Sequence, residues 1–219
     1  MAKHLDLEEQ EQLDQLKHFW AKYGNLISWV LIVVLGSFAA YNGWNWYQRN
    51  QAAKASVLYE EVDRAVQAKD LPRVERVLGD LRSDFGGTTF AAQAGLLAGK
   101  AQFEGGQLDQ ARASLQAVLN DSKDAGLQAV ARLRLASVEL QAGKPEAALQ
   151  VLQGSVPPAF EPLLADRRGD VLLSQGKAEE AKAQYQAAWK GLDARHELRR
   201  LVQVKLASLG VAVDAGGTQ

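Results

Sequence analysis

The feature that most constrains this chain is the run Leu26–Tyr47, LISWVLIVVLGSFAAYNGWNWY, inside an interval from Lys22 to Arg49 that holds no charged side chain. A helix over Leu26–Tyr47 is roughly 33 Å long, enough to cross a hydrocarbon core of roughly 30 Å. Trp20, Tyr23 and Trp29 stand at one end of the run, and Tyr41, Trp44, Trp46 and Tyr47 at the other. Amphipathic rings prefer the headgroup level, so aromatic clusters at both ends mark two membrane interfaces. A cleaved signal peptide is the rival reading, with Leu26–Gly36 as its apolar core and Ser37-Phe38-Ala39 as its cutting site. Signal peptides open on a basic segment and end near the cut. Here the preceding tail is acidic and the apolar, aromatic character continues past the cut. The run therefore reads as an uncleaved membrane helix in contact with lipid.

This places residues 1–25 as an amphipathic tail, 26–47 as the span, 48–209 as a helical domain and 210–219 as a disordered end without periodicity. The tail sets Lys3, Lys17 and Lys22 against Asp6, Glu8, Glu9, Glu11 and Asp14, a net charge of −2, and the remainder carries +1. Neither sign dominates, so the chain has no electrostatic footprint for nucleic acid. It contains no cysteine, which excludes disulfides, thiol catalysis and cysteine-based metal sites. Lys17 and Lys22 before the span balance Arg49 and Lys54 after it, so charge leaves the membrane orientation open. Within the tail, Leu5, Leu13, Leu16 and Trp20 fall near helical spacing, and Gly24-Asn25 reads as a break before the span.

After the span, Arg49–Ala68 continues as a helix. Ala55, Leu58, Tyr59, Val62, Ala65 and Val66 form one apolar stripe, and no proline or glycine separates them from the span. Then the chain repeats. Gly106, Gly143 and Gly176 are each followed five residues later by Ala111, Ala148 and Ala181, and nine residues later by Leu115, Leu152 and Tyr185. Seven residues before each glycine stands a small residue: Gly99, Ala136, Gly169. A weaker copy is Lys69, Val74, Leu78, so the anchors step by 37, 37 and 33 residues. A helix–turn–helix repeat of about 34 residues has these requirements. The small residue allows close approach of the second helix, the glycine ends the first helix in a left-handed conformation, and the large residue fills the space between helices. The predicted pairs are Thr88/Thr89–Glu104 with Leu108–Asn120, Asp124–Ala142 with Pro145–Gln153, and Pro162–Gln175 with Ala178–Leu192. Asp124–Ala142 carries one apolar line through Val130, Leu133 and Leu140 and another through Ala131, Leu135 and Val138, as expected of a helix in mid-stack. A last helix, Arg195–Leu209, places Leu198, Leu201, Val202, Leu206 and Leu209 on one side. Its charges at Arg199, Arg200 and Lys205 suit the water-facing side of a terminal cap.

Parts for catalysis are missing from this pattern. The histidines are His4, His18 and His196; the first two lie across the span from the third. No metalloprotease motif, nucleophile elbow or phosphate loop occurs. Gly86-Gly87-Thr88-Thr89 lacks the lysine and strand of a phosphate loop and reads as an interhelical turn. Asp166, Arg167, Arg168 and Asp170 read as a solvated or intrahelical ion-pair face, with a partner-binding patch as the alternative. No catalytic, metal-ligating or cofactor-binding residue is assigned, and the binding residues are left unidentified. The expected class is all-α: one membrane helix followed by an α-solenoid of hairpins that offers a face for extended peptides or proteins.

The repeat resembles the tetratricopeptide pattern. The acidic tail HLDLEEQEQLDQLKHFWAKYGN, the span ending GWNWYQ, Leu133-Arg134-Leu135-Ala136 and Ala165-Asp166-Arg167-Arg168-Gly169-Asp170-Val171-Leu172-Leu173 together resemble the YfgM-type ancillary subunits of the bacterial SecYEG translocon. The last segment is similar to that family's A-D-L-R-G-E-A-L-L stretch, with Arg168 at its arginine and Arg167 in place of a leucine. The resemblance implies an inner-membrane protein with a cytosolic tail and periplasmic repeats. It also implies association with SecYEG and a PpiD-type periplasmic chaperone, passage of emerging polypeptides, and no catalytic residues. The alternative reading is a membrane-anchored tetratricopeptide scaffold in envelope assembly or division without translocon contact.

Overall fold

The computed structural model describes residues 7–213, and among them are nine α-helices, one 3₁₀ turn and no strand. The chain divides at Asn50/Gln51 into two units, each described in turn.

The described part of the first unit lies within α1 (Leu7–Gln67). The expected break at Gly24-Asn25 does not occur, because α1 is continuous there. A helical glycine costs only about 1 kcal/mol against alanine, and here the Trp20 indole lies over the bare Cα, 3.2 Å from where a Cβ would sit. The span turns its apolar side chains outward: Leu26, Trp29, Val30, Ile32, Leu35 and Phe38 are all more than half exposed. The most apolar stretch of α1 is long enough to cross a membrane, and only 6% of it is buried within the protein. An exposed apolar run of this size marks a membrane or protein contact, and its length fits a single membrane crossing. His18 is exposed on this helix, whereas His4 and Leu5 lie outside the described residues.

The second unit is a stack of helical hairpins. The end of α1 pairs with α2 (Leu71–Phe85); α3 (Thr89–Glu104) pairs with α4 (Leu108–Asp121); α5 (Ala125–Gln141) pairs with α6 (Pro145–Val151). A 3₁₀ turn, Pro158–Phe160, leads to α7 (Glu161–Ser174), which pairs with α8 (Ala178–Gly191), and α9 (Glu197–Ser208) closes the stack on α8. First helices also touch one another, α3 with α5 and α5 with α7. Four apolar clusters join the hairpins, and α3, α5 and α7 each serve two of them. Helix α5 gives Ala131, Leu135 and Val138 to the cluster with α3 and α4, and Leu133, Ala136 and Leu140 to the one with α6 and α7. The two-sided expectation for this helix holds except at Val130, which packs with the first set.

The repeat operates as its spacing predicts. Gly106, Gly143 and Gly176 take φ of +76°, +73° and +75°. After each, the next backbone N–H reaches back to the helix just ended: Gln107 to Gln102 O at 2.8 Å, Lys144 to Glu139 O at 2.9 Å and Lys177 to Leu172 O at 3.0 Å. These bonds satisfy carbonyls that a helix end would leave unpaired. Ala111, Ala148, Ala181, Leu115, Leu152 and Tyr185 are all buried. A Cβ on Gly99 would meet Leu115 Cγ at 2.7 Å, and one on Gly169 would enter the Tyr185 ring. The weak copy follows the same geometry without glycine: Lys69 itself takes φ +56°, and Asp70 N–H donates to Ala65 O at 3.0 Å.

Three expectations change. Leu201 is half exposed rather than on the buried side of α9, since Val202 and Leu206 define that side. The charges Lys205 and Arg199 do not face water but dock α9, as shown below. Past Gly210, Val211 and Val213 pack on the last cluster, and residues 214–219 lie outside the described residues.

Candidate functional site

The first question is what the charged groups are doing, because a repeat fold binds through side chains that its own packing leaves free. Most are occupied. Arg112 on α4 grips Glu139 on α5 through Nε–Oε1 (2.5 Å) and Nη2–Oε2 (3.2 Å), and it also reaches Asp109 at 2.5 Å. The Glu139 hydrogen bond, more than any other influence, holds Arg112 in its charged form. Asp166 and Asp170 on α7 converge on Lys205 of α9, at 2.8 and 2.5 Å. Tyr185 of α8 donates its hydroxyl to Asp170 Oδ1 at 2.9 Å, and Lys205 Nζ stands 5.2 Å from the Tyr185 ring centre. Asp166 is only 5% exposed. Its carboxyl is raised above the usual carboxylate value, chiefly by burial, with the Lys205 hydrogen bond pulling the other way. Burial also raises the Tyr185 phenol, and Asp170 adds to that shift.

The solvated-face reading of Asp166–Asp170 is therefore corrected. Arg167 does make an intrahelical contact with Asp170 at 3.7 Å, but the principal partner is Lys205, 39 residues from Asp166. Sequence spacing reports which residues share a helix face. It does not report what a long side chain on a distant helix will reach.

Three arginines serve helix ends. Arg132 Nη1 donates to Val151 O (3.0 Å) and Gln153 O (3.2 Å), and Arg168 donates to Leu152 O at 3.1 Å while pairing with Glu161 at 2.8 Å. Arg199 Nη1 donates to Leu192 O at 2.7 Å and lies 4.2 Å from the Trp189 ring centre. Each meets carbonyls at a helix C-terminus, where the last turn lacks backbone partners and the dipole favours a cation. The first two also explain how the short helix α6 is held. Arg168, part of the segment singled out in the sequence, is thus a packing residue.

His196 is likewise structural: it precedes α9, and its Nδ1 accepts from Leu198 N–H at 3.2 Å. Gly86-Gly87-Thr88-Thr89 is the expected turn, with Thr88 Oγ1 accepting from Ala91 N–H at 3.2 Å and donating to Phe85 O at 2.8 Å. Among the described residues no three of His, Cys, Asp or Glu gather as a metal would require.

What remains is a groove of about 280 Å³ lined by Gly99, Lys100, Phe103 and Glu104 of α3, Leu115 of α4, and Arg134, Ser137 and Val138 of α5. Its wall is apolar, with Leu115 and Val138 buried behind it. Lys100 and Glu104 face each other along α3 at 3.5 Å. A second hollow of about 460 Å³, lined in part by Glu75, Arg82, Asp109 and Gln110, mixes both charges. The first groove runs between two first helices, α3 and α5, with Leu115 of α4 at its base. The sequence marked Gly99, Leu115 and Val138 as packing residues of the repeat and Arg134 within Leu133-Arg134-Leu135-Ala136, but it did not distinguish Lys100, Phe103 or Ser137.

Comparison with known proteins places these observations. Residues 17–211 match the tetratricopeptide repeat-like domain family. The chain is 35% identical over 213 residues to the ancillary SecYEG translocon subunit of Neisseria gonorrhoeae (strain ATCC 700825 / FA 1090), covering 95% of this chain and 100% of that protein. It is 29% identical over 206 residues to the ancillary SecYEG translocon subunit of Escherichia coli (strain K12), covering 93% and 97%. A similar protein of the same name from Aggregatibacter actinomycetemcomitans is 28% identical over 203 residues, covering 93% and 98%.

Proposed function

We propose a function from one premise: this chain belongs to the tetratricopeptide repeat-like family of ancillary SecYEG translocon subunits. On that premise it is an accessory protein of the translocon, without catalysis of its own, that acts by binding other proteins. The observation that carries the reading is the full-length match to the gonococcal subunit, which takes in both the apolar helix and the repeats. Arg112, Asp166, Asp170, Tyr185, His196 and Lys205 all have structural partners, which supports reading them as packing residues.

The proposed mechanism is tethering. Leu26–Tyr47 crosses the inner membrane, with residues 1–25 in the cytosol and the repeats in the periplasm. Confinement to the membrane raises effective concentration at the channel exit, so weak contacts of the repeat domain suffice. In this reading its partners are SecYEG, a membrane-anchored periplasmic chaperone of the PpiD type, and emerging polypeptides handed between them.

The test replaces Leu26–Tyr47 with a cleavable signal, so that the repeat domain reaches the periplasm unanchored. Loss of SecYEG co-purification is expected, and undiminished co-purification removes tethering by the span. Site-specific crosslinking from Trp44 separates the translocon reading from an envelope scaffold: adducts with SecY or SecG support the first, and adducts confined to division or outer-membrane assembly proteins support the second. A cysteine introduced at Gly217 and probed with an impermeant thiol reagent on intact cells reports the orientation.

A further inference from the structure

The groove between α3 and α5 contains one cation, Arg134, that forms no ion pair with a carboxylate among the described residues. Arg134 Nη1 donates to Leu96 O at 2.6 Å, and no other hydrogen bond or ion pair engages its guanidinium among the described residues. That bond differs from those of Arg132, Arg168 and Arg199. Leu96 lies midway along α3, where its carbonyl already accepts an intrahelical N–H. Arg134 therefore satisfies no orphaned group, whereas the other three do. A guanidinium offers five N–H donors in a planar fork suited to a carboxylate, and here most stay unused beside an apolar wall. Burial lowers the pKa of Arg134, and the nearby Glu104 carboxylate opposes that shift without reversing it. Glu104 is itself engaged by Lys100 on the rim.

We propose that the α3–α5 groove binds an extended polypeptide segment in which an acidic side chain next to an apolar one sets its carboxylate on Arg134 and its apolar neighbour against Phe103 and Val138. The acidic group is a side chain rather than a chain terminus. Capture of a terminal carboxylate uses a nest of free backbone N–H groups, and this groove is walled by regular helices whose backbone donors are already paired. The inference deepens the proposed function by naming what the repeat face takes, and it rests on reading this domain as a protein-binding module.

The experiment uses the full chain in lipid nanodiscs and fluorescence anisotropy with three labelled peptides. The first has an amidated C-terminus and one glutamate between leucine and phenylalanine. The second replaces the glutamate with glutamine, and the third is the glutamine peptide with a free C-terminus. The expected result is tighter binding of the glutamate peptide than of either glutamine peptide, by about tenfold, the size of one charge-assisted pair. Arg134→Gln removes that preference and leaves the melting temperature within a degree or two of wild type. Ser137→Glu, one helical turn from Arg134 on α5, supplies an internal carboxylate and abolishes binding. Should Arg134→Gln fail to fold, Ser137→Glu carries the test alone. Equal binding of the first two peptides, or binding of neither, overturns the proposal, as does a free C-terminus that binds as well as glutamate. So does an Arg134→Gln variant that melts several degrees lower yet keeps the preference, since Arg134 would then only dock α5 on α3. SecYEG co-purification of the same variants is scored separately. Peptide preference without translocon association retains the groove and removes the translocon reading; the converse removes the groove alone.

Discussion

The first and last hairpins of the repeat domain solve one packing problem with different residues. In the last, Gly169 leaves room that the Tyr185 ring fills, with Ala181 beside it. In the first, the equivalent positions are Val62, Val74 and Leu78, all buried together. A bare Cα opposite a large ring has become a branched side chain opposite a smaller one. The turn that joins the helices is the same, although Lys69 at φ +56° stands where Gly176 has φ +75°. The comparison teaches that the repeat keeps a backbone turn and a filled crossing, not particular residues. Their charges differ more. The first hairpin carries a partly exposed pair, Arg73–Glu61 at 3.1 Å, whereas the last closes Asp166 and Asp170 on Lys205 from α9.

That contrast in charge predicts the largest effect. Lys205→Met leaves Asp166 buried without its cation, which costs about 3 kcal/mol, or roughly 6–12 °C in melting temperature for a domain of this size. Arg73→Ala at the other end costs less than about 1 kcal/mol, because an exposed pair is screened by water. The pH dependence sharpens the test. The Asp166 carboxyl is raised above its unfolded value, so the native state binds its proton more tightly than the unfolded chain does. Its contribution to stability falls as pH rises from the ordinary carboxylate value through the native one, then levels off. Removing Lys205 lifts the native value further and widens that window upward. The variant is thus expected to melt closer to wild type near about pH 4 than near about pH 7. A constant gap across that range means the Lys205–Asp166 pair is not what holds α9.

The crossing volume predicts the next effect, with opposite demands at the two ends. Gly169→Ala drives a methyl into the Tyr185 ring and loses about 1–2 kcal/mol, overpacking outweighing the gain in helix propensity. Val62→Ala, at the equivalent place, loses about 2 kcal/mol by leaving a void. Combining Gly169→Ala with Tyr185→Leu reproduces the pair that Ala136 and Leu152 already form in the middle hairpin. Denaturant melts should show the double variant recovering part of the loss, with a coupling between the two sites of at least about 0.5 kcal/mol. Strict additivity would show that the positions do not share one space.

The hairpins were legible in the sequence because their signals are local. Gly106, Gly143 and Gly176 mark helix ends, and Ala111, Ala148 and Ala181 recur at a fixed offset from them, so both turn and crossing follow from spacing. Charge was not legible in the same way. Lys205 looked like a water-facing residue of a cap, and Asp166 like part of a solvated face, because helical position says nothing about a partner 39 residues away. Leu201 was misplaced for a related reason: several apolar residues on α9 allow two neighbouring faces, and only the fit against α8 selects Val202 and Leu206. Gly24 was overread as a break, since a glycine lowers helix stability by an amount that a long helix absorbs. Arg134 could be noticed but not interpreted. Its distinction, a guanidinium on a mid-helix carbonyl, exists only once α5 lies beside α3.

The smallest predicted effect bears on the turn itself. If the first hairpin keeps the backbone of the others without their glycine, Lys69 holds a left-handed conformation that costs a side chain about 1–2 kcal/mol. Lys69→Gly relieves that strain and gives back about 0.5–1 kcal/mol through the freer unfolded chain, for a net gain near 0.5 kcal/mol. On this domain that is a rise of roughly 1–2 °C in melting temperature. Gly143→Ala runs the comparison backwards: it introduces the same strain where φ is +73° and should lose about 1 kcal/mol. A Lys69→Gly variant that melts lower than wild type would mean that the lysine side chain contributes something its backbone strain conceals. The turn at the first hairpin would then be a separate solution rather than a copy of the other three.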